Sequence, residues 1–304
     1  MTRLPNFLII GKAKSGTSAL YTAMRSHPQV FMPALKEPGF FGYEMDSFAF
    51  LGMEALRMNR IDNLDAYRRL FANVTTETAI GEASTLYLFP EYAAVAAESI
   101  HRHVPEMRLI AILRHPAEYV HSIYHFWRMF DGMESAPTLE GALALEAERR
   151  QAGIDSGLWY LEGARNYTQL RAYYDRFPRA QIKVLLYEDW RNQPAQTLAT
   201  LLSFIGVDPE AARIEPTPVN VTRVQRIPWV RKLIGMPHPL LDLARKFVPA
   251  PLRKAVALRL QAWNRNGSPP PLSAATRRMI VDATREDILK TQELIGRDLS
   301  HWLR

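Results

Sequence analysis

The densest chemistry in this sequence lies near its start, in Gly11-Lys12-Ala13-Lys14-Ser15-Gly16-Thr17-Ser18. An apolar run, Asn6 to Gly11, leads into it, and a stretch with helical spacing, Leu20, Tyr21 and Met24, follows. A glycine-bearing loop between a strand and a helix turns several backbone N–H groups toward one point. The helix dipole adds partial positive charge there, so the stretch reads as a phosphate cradle. The loop that binds nucleoside triphosphates has the pattern G-x-x-x-x-G-K-[ST]. Gly11 and Gly16 keep that spacing and Ser18 keeps the hydroxyl, but Thr17 stands where the lysine belongs. The charge sits earlier, at Lys14, with Lys12 beside it. A kinase or NTPase needs its lysine after the second glycine and a hydroxyl for Mg²⁺. The pattern predicts a phosphate-bearing donor held by Lys12, Lys14, Ser15, Gly16, Thr17 and Ser18 without the usual metal arrangement.

A second receptor for phosphate follows another apolar run. Arg114-His115-Pro116 comes directly after Arg108 to Leu113, with Ser122 eight residues beyond Arg114. An arginine at the end of a parallel strand faces the crevice where α/β proteins hold ligands. Ser122 lies about two turns along the helix that follows, so fork and hydroxyl converge on one phosphate. His121 and His125 share a helix face at i, i+4, a spacing that suits zinc, but no third ligand stands nearby and the pair is read as non-metallic. No Gly-x-Ser-x-Gly elbow occurs, so a serine hydrolase is unsupported.

The elements that must position these residues alternate. Asn6 to Gly11, Thr78 to Gly81, Arg108 to Leu113 and Ile182 to Tyr187 read as strands. Helical stretches are predicted from Gly16-Thr17 to about His27, over Ala117 to Met129, and over Gln193 to Ile205. Continuous apolar runs of this length mark strands buried on both faces, and the alternation predicts a central parallel sheet flanked by helices. Gly267 to Pro271 reads as a turn or linker. A last helix is expected from Ser273, its N-cap, to about Leu294.

With 304 residues, 47% of them hydrophobic, the chain can bury a large core as one α/β domain. It has no cysteine, which excludes disulfides, thiolate metal sites and a thiol nucleophile and fits a reducing compartment. No secretory leader and no apolar membrane span is seen, so the default location is cytoplasmic. The net charge of +7 is local: ten Lys and Arg against one acid fall between Arg223 and Arg265. That distribution argues against a nucleic-acid binder and for an anionic partner. The basic, proline-punctuated arm at about 228–265 has three readings: a lid, a site for an acidic acceptor, or a contact with an anionic membrane surface.

Lys14-Ser15-Gly16-Thr17-Ser18 resembles the 5′-phosphosulfate loop of sulfotransferases, P-K-[SA]-G-T-[TS], with Ala13 in place of the usual proline. Arg114 to Ser122 resembles the R-[DH]-P-x-x-[RY]-x-x-S segment that holds the 3′-phosphate in that family. The resemblance extends to Lys36-Glu37-Pro38-Gly39-Phe40-Phe41, where Gly39 replaces a frequent histidine. It also covers Gly81-Glu82-Ala83-Ser84, where Ala83 replaces a lysine common in glycan enzymes. Leu185 to Asp189 and the terminal Leu294 to Trp302 match family markers as well, so the likeness runs from about Asn6 to Leu303.

The resemblance implies a P-loop NTPase-like sulfotransferase fold with 3′-phosphoadenosine 5′-phosphosulfate as co-substrate and no metal. It implies Lys14 at the bridging oxygen, Glu37 as general base, Glu82 as a second acid/base or an orienting or structural group, and Arg223 or Arg226 in a loop that closes on the 3′-phosphate. The acceptor is expected to be a hydroxyl or amine of a carbohydrate, glycolipid or small molecule, acidic or lipid-linked. A P-loop kinase and a non-enzymatic nucleotide-binding protein are the alternatives. The first predicts ATP binding with Mg²⁺; the second predicts donor binding without turnover.

Overall fold

In the computed structural model of the chain, residues 3–44, 61–130, 133–212 and 268–304 are described. Arg223, Arg226 and the basic arm at about 228–265 lie outside them. Five strands form one parallel sheet: β1 (Phe7–Gly11), β2 (Val30–Phe31), β3 (Ala79–Ala83), β4 (Arg108–Leu113) and β5 (Ile182–Leu186). Their order is β2-β3-β1-β4-β5. β1 pairs with β3, Phe7 opposite Gly81 and Ile9 opposite Ala83, and with β4, Phe7 opposite Arg108 and Ile9 opposite Ile110.

Side chains alternate across the pleat. Leu8, Ile10, Leu109, Ala111 and Leu113 face one layer. That layer holds α4 (Ala93–His103), α9 (Tyr167–Tyr174) and the C-terminal helix Ala274–Ile295, which contribute Ile100, Leu170 and Ile288. Phe7, Ile9, Ile110 and Ile112 face the other layer, where Leu20 and Met24 of α1 (Thr17–Arg25) meet Leu198, Leu201 and Ile205 of α11 (Pro194–Ile205). Each fully buried Leu or Ile contributes about 1.5–3 kcal/mol, which is why unbroken apolar runs settle as central strands. Gly81 is required by this packing: a Cβ there would lie 2.2 Å from the Phe7 ring across the strand pair.

The predicted strands and helices that fall within the described residues are present, with shifted ends. β3 runs to Ala83, two residues beyond the expected Gly81, because pairing with Leu8 and Ile9 satisfies the backbone of Glu82 and Ala83 despite the polar side chain. α5 (Pro116–Trp127) begins with proline in its first turn and ends before Met129. β2, two residues long, was not expected from the sequence. Ser273 caps the C-terminal helix by accepting from Thr276 N–H at 3.0 Å.

The marker after β5 and the terminal one meet in space. Arg297 donates to both carboxylate oxygens of Asp189, with Nη2–Oδ1 at 2.7 Å. Trp302 Nε1 donates to Glu188 at 2.8 Å. The helix α10 (Tyr187–Asn192) that follows β5 is thereby tied to the last residues of the chain.

Candidate active site

The connection after β1 leads to one side of the sheet, toward β2, and that after β4 leads to the other, toward β5. The C-terminal ends of β1 and β4 therefore flank a topological switch point, where α/β sheets open a crevice for ligands. Between Ile9 and Gly11 the register of β1 against β4 slips by one residue. Such a bulge re-aims the chain that leaves the strand. Lys12 N–H then donates to Ile112 carbonyl at 2.9 Å, and Ser15 N–H to Lys12 carbonyl at 3.3 Å, closing the loop.

Lys14 takes φ +61° and Gly16 φ +94°. A Cβ at Gly16 would lie 3.3 Å from the Tyr187 and Trp190 rings, so glycine fits both the conformation and the space. Gly16 is also the N-cap of α1 and supplies no side-chain cap. The first-turn amides of α1 therefore have no side-chain cap, the arrangement that suits an anion at a helix N-terminus.

Arg114 reaches this loop from β4. Its Nη1 donates to Lys14 carbonyl at 2.8 Å, and its guanidinium stacks 4.8 Å from the Tyr187 ring centroid. Its Nη2 is 3.6 Å from Glu118, while its Nε is buried without a hydrogen-bond partner. Burial lowers its pKa. His115 caps α5, its Nδ1 accepting from Ala117 N–H at 3.1 Å. Burial and neighbouring Arg277 hold its pKa at about 4, so the ring is neutral near pH 7. Ser122 is buried further along α5.

Lys14 lays its ammonium 4.5 Å from the Phe126 ring centroid. Among the described residues no carboxylate comes within ion-pair distance of it. Burial, then Arg114, then Lys36 lower its pKa to about 8. Cations that depress one another, beside uncapped amides, constitute a site short of negative charge. Phe126 stands four residues after Ser122, on the same helical face, and that spacing is the signal by which the sequence could have revealed it.

Lys12 differs from Lys14. Its ammonium donates to Gly163 carbonyl at 2.5 Å, Asn166 Oδ1 at 2.8 Å and Arg165 carbonyl at 3.4 Å, between α8 (Tyr160–Ala164) and α9. Burial lowers its pKa to about 7, and Asp287 and Glu162 act the other way. All three of its N–H donors are thus committed to the protein. Ser15 is buried, its Oγ donating to Ala13 carbonyl at 3.4 Å.

Glu37 sits at φ +62° and the following Gly39 at +68°, a tight turn held from below by β3. Glu37 N–H donates to Ala83 carbonyl at 3.0 Å, and Gly39 N–H to Ser84 Oγ at 3.0 Å. The two carboxylate oxygens have separate partners. Oε2 accepts from Thr85 N–H at 2.6 Å and Thr85 Oγ1 at 3.1 Å, and Oε1 pairs with the Lys36 ammonium. Glu82 lies beneath, fully buried. It accepts from Tyr87 hydroxyl at 2.7 Å, Ser84 hydroxyl at 2.9 Å and Tyr67 hydroxyl at 3.3 Å. Burial raises its pKa to about 7 against those hydrogen bonds, and nearby Glu37 adds to the rise. Ser84 therefore links Glu82 to the turn that carries Glu37, and sequence reasoning named neither tyrosine.

His121 and His125 meet edge to face with ring centroids 4.6 Å apart, and His121 Nε2 contacts Pro270 carbonyl at 2.8 Å. Among the described residues no group of three His, Cys, Asp or Glu is placed to hold a metal ion. No described helix is long and apolar enough to cross a membrane.

A parallel sheet with a glycine-bearing loop at its switch point is a P-loop-like fold. Residues 4–222 match the model of the sulfotransferase domain. The chain is 27% identical over 222 residues to the human bifunctional heparan sulfate N-deacetylase/N-sulfotransferase 3, a match covering 68% of this chain and 23% of that protein. It is 29% identical over 155 residues to mouse carbohydrate sulfotransferase 15, covering 41% and 27%. The solved sulfotransferase of Alicyclobacillus acidocaldarius is similar over 99% of this chain and 100% of its own, at 26% identity and a TM-score of 0.75. The chain belongs to the sulfotransferase family. It matches about a quarter of the length of these curated relatives.

Proposed function

We propose that the chain, acting as a single domain, transfers a sulfonate group from 3′-phosphoadenosine 5′-phosphosulfate to a hydroxyl or amine of a carbohydrate, glycolipid or small molecule. The observation that carries this reading is the charge deficit at the switch point: Lys14 without a carboxylate among the described residues, Arg114 with a buried unpartnered Nε, and uncapped amides at the start of α1. These groups fit a ligand with phosphate at two ends. When bound, the donor supplies an activated sulfonate.

The protein groups divide the work. The amides of Gly16, Thr17 and Ser18, with Ser15 near them, cradle the 5′-phosphate. Lys14 neutralises the charge that develops there as the bond to sulfur breaks, which is preorganised electrostatic stabilisation. Arg114 and Ser122 hold the 3′-phosphate, with Arg223 or Arg226 closing over it. Lys12 supports the loop from the α8–α9 side. Glu37 takes the proton of the acceptor, whose alcohol is a poor nucleophile until it is removed. The scheme requires no metal. A cytoplasmic location belongs to the same reading and is supported by the absence of cysteine.

Calorimetric titration tests the donor. The product nucleotide, 3′-phosphoadenosine 5′-phosphate, is expected to bind in the micromolar range or tighter without Mg²⁺. Micromolar ATP binding with none for the bisphosphate would instead establish a kinase-like protein.

A further inference from the structure

We propose that Lys36 is a further cation of the donor site: it binds the sulfonate oxygens of the donor and in doing so releases Glu37 Oε1 to accept the acceptor's proton. This rests on the sulfotransferase reading and adds a residue and a sequence of events to it.

Three observations carry the proposal. Lys36 pairs with Glu37 through Oε1 alone, while Thr85 holds Oε2 by two hydrogen bonds. Departure of Lys36 therefore leaves the carboxylate fixed and one oxygen free. Lys36 is also close enough to Lys14 to depress its pKa, so its charge bears on the point where Lys14 acts. Finally, the Lys36 side chain is 22% exposed and that of Glu37 38%, so the pair borders solvent and has room to separate.

The chemistry requires such an exchange. While Oε1 is paired with the Lys36 ammonium and Oε2 with Thr85, the carboxylate has no oxygen open to the acceptor's proton. The same ammonium has two possible anionic partners in turn. Before the donor binds, the available partner is Glu37. Once a sulfonate lies beside Lys14, its oxygens compete for Lys36, and the charge deficit of the cluster is relieved. In the transfer step the S–O bond to the 5′-phosphate breaks and its electron pair stays on the phosphate. An S–O or S–N bond to the acceptor forms, and the acceptor's proton passes to Glu37.

Donor and product nucleotide differ by the sulfonate, so their affinities separate Lys36 from general electrostatics. Calorimetric titration of each into wild type, Lys36→Met, Lys36→Arg and Glu37→Gln is the test, with unfolding midpoints as a check on folding. Lys36→Met is expected to weaken 3′-phosphoadenosine 5′-phosphosulfate about tenfold, the scale of one charge-assisted hydrogen bond, and to leave the bisphosphate within about twofold. Lys36→Arg is expected to retain most of the preference. Glu37→Gln removes the competing partner and is expected to tighten the donor several-fold, again without effect on the bisphosphate. Equal weakening of both nucleotides by Lys36→Met, no change in either, or a donor weakened by Glu37→Gln would overturn the proposal. If Lys36→Met does not fold, the Glu37→Gln outcome decides alone. Failure of wild type to bind either nucleotide would overturn the underlying sulfotransferase reading itself.

Discussion

Two charged clusters in this protein are built on opposite terms. Glu134 and Arg149 are both buried, and every part of the pair is matched: Nη2–Oε1 at 2.7 Å, Nη1–Oε2 at 2.9 Å, Ala136 N–H onto Oε1 at 2.7 Å, and Tyr160 hydroxyl onto Oε2. Lys14 and Arg114 form the other cluster, with Lys36, itself paired to Glu37, beside them. They repel one another through Lys14, and Arg114 keeps a buried Nε unpaired. A charge that serves the fold finds its partner within the chain. Lys14 has no carboxylate within ion-pair distance among the described residues, as expected of a charge kept for a ligand.

Removing one partner of the matched pair gives the largest effect on folding. Arg149→Ala leaves a buried carboxylate uncompensated and is expected to cost about 3–5 kcal/mol, read as a fall in the chemical-denaturation midpoint. Lys14→Ala reverses the pattern. Turnover with donor and a sulfonate acceptor is expected to drop about 10²–10³-fold, as when a transition-state donor is removed, while the unfolding midpoint holds or rises. A Lys14→Ala protein that unfolds as readily as Arg149→Ala would erase the distinction between the clusters.

Glu82 lies between these extremes, matched like a structural charge yet linked to the turn that carries Glu37. Glu82→Gln keeps the shape but cannot accept from all three hydroxyls, and is expected to cost about 1–3 kcal/mol of stability. Its raised pKa gives a pH signature as well. The folded state holds this proton more tightly than the unfolded chain, so the stability it contributes is complete below the ordinary glutamate value and is lost as pH rises toward about 7. Denaturation midpoints of wild type should carry that decline and those of Glu82→Gln should lack it. Arg297→Ala, which removes a half-exposed pair with Asp189, is the mildest: below about 1 kcal/mol, seen as a small shift in unfolding midpoint.

How much of this was legible in the sequence follows from the range of the interactions involved. β1, β4 and β5 were readable because a strand buried on both faces must be apolar throughout, and the loop was readable because its glycines and cations are consecutive. Arg114 and Ser122 lie on one strand-to-helix unit, eight residues apart, and were likewise local. The end of β3 was misjudged because Glu82 is polar, and only pairing with β1 explains its place in the sheet. Tyr67 and Thr85 went unassigned because their partners, Glu82 and Glu37, lie 15 and 48 residues away in the sequence and are met only in the fold. Lys12 and Lys14 look equivalent in the sequence. The bulge at the end of β1 and the α8–α9 turn separate them, committing one ammonium to carbonyls and leaving the other beside Phe126.

The claim that under-matched cations receive the donor is tested most directly by the pH dependence of bisphosphate affinity. Lys14 has a pKa of about 8 without ligand, and a bound phosphate favours its charged form, so binding takes up a proton above that pH. Calorimetric affinities of wild type for 3′-phosphoadenosine 5′-phosphate should fall as pH rises from about 7 to 9.5, and Lys14→Met should bind more weakly at pH 7 with most of that slope gone. An identical slope in the two proteins, or an affinity that Lys14→Met leaves unchanged, would contradict the account.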